Sequence, residues 1–151
     1  MAAELPSTEQ VFRQVPCFCG SLLIAARVVT RLYNEELRRE GLEVTQHAIL
    51  MVLKLLGPLP VGALGERLAL DKTSISRNLK VLERNRWVVL ERGQDGRHRV
   101  VSLTGPGAEK LASARPSWNR AQKRMRDAMP SDDFDALRRL LPDLALATLP
   151  A

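Results

Sequence analysis

The segment that most constrains this chain lies between residues 71 and 103, where the hydrophobic period changes from helical to extended within a few positions. Asp71 is a good N-cap, and beyond it Ile75, Leu79 and Leu82 recur at four- and three-residue spacing, so Lys72 to Arg86 reads as an amphipathic helix. Two runs rich in β-branched residues follow, Val88 to Arg92 and Arg99 to Leu103, on either side of the turn sequence Gly93-Gln94-Asp95-Gly96. A helix that runs straight into a hairpin must share one core with it.

Upstream, Val61, Leu64 and Leu68 lie on one helical face, and Ala69-Leu70 leaves only a tight turn before the capping Asp71. Two short helices at such a turn form a helix-turn-helix when the second displays small hydroxyls and cations, here Thr73, Ser74, Ser76, Arg77 and Lys80. A hairpin directly behind that second helix is the wing of a winged-helix domain. On the N-terminal side, Leu22, Ala26, Val29, Tyr33 and Leu37 form an apolar stripe that should stop near Gly41, opposite Arg27, Arg31, Asn34 and Arg38. Thr45 is the expected N-cap of a second helix, with Ala48, Ile49, Val52, Leu53 and Leu56 inward and Gly57-Pro58 as its end. Behind the hairpin, Thr104 should cap a helix reaching about Met129 with a kink at Pro116. Ser131 with Asp132 and Asp133 should open a last helix using Phe134, Leu137 and Leu141, ended or bent by Pro142. The expectation is one α+β, mainly helical domain over 1–151. Residues 45–104 form its winged helix, and helices at about 17–40 and 105–148 carry leftover apolar faces suited to a homodimer.

Charge sharpens the reading. The chain carries +6 formally, and residues 72–99 hold eight Lys or Arg against three acids, so nearly all the excess falls on the second helix and wing. That concentration points to a polyanion, and an α-helix with these side chains fits the DNA major groove. Arg77 is the first choice for a base contact, then Ser74, Ser76 and Thr73, while Lys72 and Lys80 near the rims suit phosphates. Arg97 on the wing, beside Asp95 and Arg99, suits the narrow minor groove. Arg84 and Arg86, near the helix end, have an alternative duty to the helix dipole.

Other classes find little support. No apolar run approaches the roughly 20 residues that span a bilayer, and Met1 to Gln14 carries charge where a secretory leader is apolar, so a cytoplasmic protein without a membrane partner is expected. There is no Gly-rich phosphate loop or nucleophile elbow, and only two histidines, so neither an enzyme nor a cofactor is expected. No metal-ligand spacing accompanies His47.

From about Cys17 to Met129 the chain resembles the MarR family of bacterial regulators. The matching pieces are Leu42-x-x-Thr45-Gln46, Leu64-Gly65-Glu66-Arg67-Leu68, Thr73-Ser74-Ile75-Ser76-Arg77 with Leu82-Glu83, and Asp95-Gly96-Arg97 leading to Leu103-Thr104 and Gly107. The family's wing usually reads Asp-Arg-Arg; here Gly96 takes the middle position and removes one cation. The resemblance implies dimers built by the terminal helices, pseudo-palindromic operators in double-stranded DNA, and repression released by a small ligand or an oxidant.

Three features compete as the input: the thiols of Cys17 and Cys19, a metal site of His47 with one of those cysteines, which no ligand spacing supports, and a pocket for a small ligand. Cys17 and Cys19 stand at the start of a helix, where exposed amides lower a thiol pKa, though an i, i+2 pair on a helix points about 200° apart. Their rival reading is as small buried residues at a dimer interface. A pocket for small aromatic acids, implied by the resemblance, has candidate lining in Met51 and Trp118 and candidate anion partners in Arg27 and His47, against plain core packing. The rival for the whole chain is a winged-helix module for protein interactions that lacks specific DNA binding.

Overall fold

A computed structural model describes residues 7–14, 17–94 and 96–149. The elements run α1 (Thr8–Gln14), α2 (Phe18–Leu37) closed by a 3-10 turn (Arg38–Glu40), α3 (Val44–Leu56), β1 (Leu59–Pro60), α4 (Val61–Arg67) and α5 (Lys72–Arg84). They continue through β2 (Val88–Arg92), β3 (Arg99–Leu103), α6 (Gly105–Ser113), α7 (Arg115–Asp127) and α8 (Ser131–Ala147). The strands make an antiparallel sheet of order β1-β3-β2, with Leu90 and Leu59 both opposite Val101. This is a mainly helical winged helix-turn-helix.

One core serves all the central elements. Ile49, Leu50 and Leu53 of α3, Leu64 of α4, Ile75, Leu79 and Leu82 of α5, Val88 and Val101 of the sheet and Leu111 of α6 form a single buried cluster. The helix-to-hairpin junction is tied by main-chain geometry. Arg86 takes a left-handed conformation (φ 62°), and the amide of Trp87 donates to the Leu82 carbonyl at 2.9 Å, closing α5. Thr104 then bridges the junction: its hydroxyl donates to the Arg86 carbonyl (2.6 Å) and accepts from the Gly107 amide (3.0 Å), and its own amide donates to the Trp87 carbonyl (3.1 Å).

Several expectations need correction. A helix, α1, precedes the expected first one; the Ser7 hydroxyl accepts from the Gln10 amide and the Gln10 side chain from the Ser7 amide, a reciprocal cap visible as Ser-x-x-Gln. Thr45 does not cap α3. Glu43 is the N-cap, because Gln46 Oε1 accepts from its amide (3.1 Å) and Asn34 Oδ1 from the amide of Val44 (2.7 Å). Leu50 rather than Leu56 completes the buried face of α3; Leu56 is exposed. Leu59-Pro60 pairs with β3 as a strand. Pro142 does not end α8, which continues to Ala147. The expected break near Pro116 is present, with Ala114 between α6 and α7.

Only the C-terminal part of α2 is covered within the chain, where it packs on α7. Glu36, 5% exposed, is the hub of that contact. It accepts from Arg120 Nε (3.0 Å) and Arg124 Nη1 (3.2 Å) and pairs with Arg39 (3.3 Å). Arg120 also donates to the Ser117 hydroxyl (2.7 Å), which donates to Glu40 (3.0 Å). The hydrogen bond from Arg120, with support from Arg124 and the charge of Arg39, holds the Glu36 carboxyl below its ordinary range despite burial. A buried charge with this many partners costs a great deal if it loses them, which makes the α2–α7 joint geometrically specific.

Candidate DNA interface and an adjoining cavity

α5 projects from the core by its own periodicity. Ile75, Asn78, Leu79 and Leu82 face inward, leaving Lys72, Thr73, Ser76, Arg77 and Lys80 exposed along the outer side. Ser74 departs from the expectation of a free reading group. Its amide donates to Asp71 Oδ1 (2.7 Å) and its hydroxyl to Oδ2 (3.0 Å), so the side chain is engaged in capping the helix. Those bonds from Ser74, with a smaller contribution from the Arg77 charge, hold the Asp71 carboxyl below its ordinary range. Asn78, not singled out by its residue type, is buried with its amide returned to the Ser74 carbonyl (2.9 Å).

The wing faces the same direction. Its strands have the expected bounds, and the loop is closed by the Gly93 amide donating to the His98 carbonyl (2.8 Å) and the Gly96 amide to the Gly93 carbonyl (2.9 Å). Gly96 has φ 63°, a left-handed conformation that disfavours the arginine usual in this wing position. Arg97 is exposed on the loop, while Asp95 lies outside the described residues. Arg99 lies 3.9 Å from Glu83, an exposed pair that tethers wing to helix. Such pairs are worth about 0–1 kcal/mol, so a phosphate can compete for the guanidinium. Between α5 and the wing runs a groove of about 700 Å³ whose lining includes Lys72, Ser76, Lys80, Arg97 and Arg99 together with Glu66 and Glu83.

On another part of the surface, α3, α6 and α7 line a half-open cavity of about 330 Å³ that joins His47, Met51 and Trp118. The His47 and Trp118 rings are nearly parallel, 14° between planes and 6.2 Å between centroids. Burial pushes the His47 imidazole below its ordinary range, which favours the neutral ring at pH 7. The cations here are Lys54 and Arg115. Both escape a reading by residue type, yet Lys54 is one turn beyond Met51 and Arg115 one turn before Trp118, so helical spacing could have found them. Arg27, the cation expected here, instead lines a shallow groove on α2 with Leu23 and Arg31. Cys17 and Cys19 are not part of this lining and are exposed free thiols. Cys17 is the extended N-cap of α2 (φ −94°, ψ 123°), so the 200° rule for two helical positions does not apply to the pair.

The arrangement defines a class: a winged helix-turn-helix protein with a cationic reading head. A family model described as the MarR family matches residues 40–98. Over that segment, which carries the helix-turn-helix and most of the wing, the chain is similar to the MarR family. It is 31% identical over 86 residues to the HTH-type transcriptional regulator YwoH of Bacillus subtilis, covering 57% of this chain. The chain spans 63% of the length of that curated relative, less than two thirds. The transcriptional regulator MosR of M. tuberculosis is 29% identical with a TM-score of 0.77, covering 88% of this chain and 96% of MosR. MosR in complex with DNA gives 27% identity and a TM-score of 0.71, covering 88% of this chain and 99% of that one. The names these proteins carry are those of regulators, not of enzymes.

Proposed function

We propose that the protein regulates transcription by binding a pseudo-palindromic operator as a homodimer. The observation that carries this is the shared orientation of the α5 stripe (Lys72, Thr73, Ser76, Arg77, Lys80) and the wing cations Arg97 and Arg99, on a fold that in MosR has been solved with DNA. Arg77 and Ser76 read bases, Thr73 supports them, Lys72 and Lys80 hold phosphates, and Arg97 enters the minor groove with Asp95 orienting the wing. Ser74 contributes chiefly through the cap.

Dimerisation is supported by apolar side chains that the single chain leaves uncovered at both ends, among them Phe18 (71% exposed), Leu23, Leu140 (61%) and Leu146 (68%). The input is a small aromatic acid in the His47–Met51–Trp118 cavity, with Lys54 and Arg115 as its anion partners, and its binding releases the operator. Oxidation of Cys17 or Cys19 is the second route of release, favoured by their exposure. Among the described residues no helix is long and apolar enough to cross a membrane, which accords with a cytoplasmic site of action.

The test is fluorescence anisotropy of the reduced protein on duplexes tiling the region upstream of its own gene, beside a shuffled duplex at the same near-physiological salt. One tile bound at least about a thousandfold more tightly than the shuffled duplex is the expected result. Aromatic acids, and peroxide with wild type against Cys17→Ser, are then titrated onto that complex. No binding to any duplex at low salt overturns the reading in favour of a protein-interaction module.

A further inference from the structure

Trp118 lines more than the cavity beside His47. A second groove of about 430 Å³, between α7 and α8, is lined by Trp118, Asn119, Gln122, Lys123, Arg126 and Arg138, so Trp118 and Asn119 are common to both spaces. Neither lining contains an Asp or Glu, in a chain that has 17 of them. Elsewhere on these helices Glu35 and Glu36 hold Arg39, Arg120 and Arg124, and of the second groove's own cations Lys123 is held by Asp127. Lys54, Arg115, Arg126 and Arg138 have no such carboxylate among the described residues. Arg126 stands 5.5 Å over the Phe134 ring, a stacking that fixes its plane and leaves its N–H edge open to an acceptor.

Two clusters of cations without acid partners therefore stand in two spaces that share the indole of Trp118 as a wall. We propose that the effector site is bipartite and takes an elongated dianion. Its apolar body lies against Trp118 and Met51, one acid group meets Lys54 and Arg115, and a second meets Arg126 and Arg138. Arg115 and Arg126 are eleven residues apart on α7, about 16 Å along the axis, so the two acid groups are separated by a body longer than a single ring. The amides of Asn119 and Gln122 supply neutral donors along the way. This inference rests on the effector reading of the first cavity.

Calorimetric titration of the full chain with biphenyl-4-carboxylate and biphenyl-4,4′-dicarboxylate tests it. The diacid should bind about tenfold more tightly than the monoacid. Arg126→Gln with Arg138→Gln should abolish that advantage while leaving the monoacid within about twofold of wild type, and Lys54→Gln should weaken both acids. Arg138→Gln alone, at an exposed position outside the Phe134 stack, should remove a measurable part of the advantage and guards against misfolding of the double variant. Equal affinity for the two acids, or an advantage that survives the double variant, overturns the bipartite site and leaves the first cavity's role intact. Binding of neither acid overturns both.

Discussion

Replacing Gly107 with alanine tests the junction that aims the wing. An added Cβ would stand 2.8 Å from both the Trp87 carbonyl carbon and Leu103 Cδ1, and closer still to the Trp87 carbonyl oxygen. Ordinary contact begins near 3.4 Å, so that backbone carbon must retreat by about 0.6 Å. The Trp87 carbonyl that would yield accepts the Thr104 amide, the adjoining Arg86 carbonyl accepts the Thr104 hydroxyl, and the Gly107 amide itself completes the Thr104 cap. Three hydrogen bonds at about 1 kcal/mol each, plus about 1–3 kcal/mol of overpacking, are offset by about 1 kcal/mol of helix propensity gained over glycine. The net expectation is a loss of about 3–5 kcal/mol. Urea denaturation followed by circular dichroism measures it, at one protein concentration because association would shift the midpoint. Gly105→Ala is the matched control: nothing lies within 4 Å of its added Cβ, so it should be neutral or slightly stabilising. A Gly107→Ala protein within about 0.5 kcal/mol of wild type would refute the close-approach argument.

Other substitutions separate reading from holding. Arg77→Ala should cost about 1–3 kcal/mol on the operator and flatten discrimination among base substitutions, whereas Lys80→Ala should weaken all duplexes alike and reduce the salt slope by about one; anisotropy titrations at several salt concentrations distinguish them. The Glu36 carboxyl is held below its ordinary range, so its contribution to stability is present above the unfolded carboxylate pKa and is lost as pH falls through the lower folded value. The difference in urea midpoint between wild type and Glu36→Gln should accordingly shrink as pH is lowered from 6 to below about 4. Leu140→Lys, at a residue 61% exposed in the single chain, should shift sedimentation toward monomer with little change in the circular dichroism spectrum; an unchanged dimer would remove α8 from the interface.

The reading head was the most legible part of the sequence because local rules dictate it. The change of period after Arg86, the Asp71 cap and the glycines of the wing each act over a few residues and agree with one another, so β2 and β3 fall where the spacing puts them and α5 starts where expected but stops at Arg84, short of Arg86. The two-residue β1 is legible only through its partner Val101, some forty residues away. The Glu36 cluster joins residues 84 and 88 positions apart, and no periodicity announces such a pairing. The error over Arg27 has the same origin: one helical stripe spans α2, but only its C-terminal part meets α7, so the distal cations stay away from the cavity. That His47 and Trp118 come together follows from helical faces that packing turns inward, whereas Met51, 46% exposed, joins them by standing one turn beyond His47.

The Glu36 joint also restricts how a lineage of such proteins can drift. Losing Glu36 alone leaves the guanidiniums of Arg39, Arg120 and Arg124 crowded without their common acceptor, and losing Arg120 alone strips the nearest partner from a buried carboxylate. Neither single step is cheap, while a concerted exchange to apolar partners of similar volume can be neutral. Positions 36, 120 and 124 should therefore change together or stay fixed among homologues, even as the exposed stripe of α5 diversifies to new operators. The α2–α7 joint would then retain a longer record of common descent than the exposed face of α5.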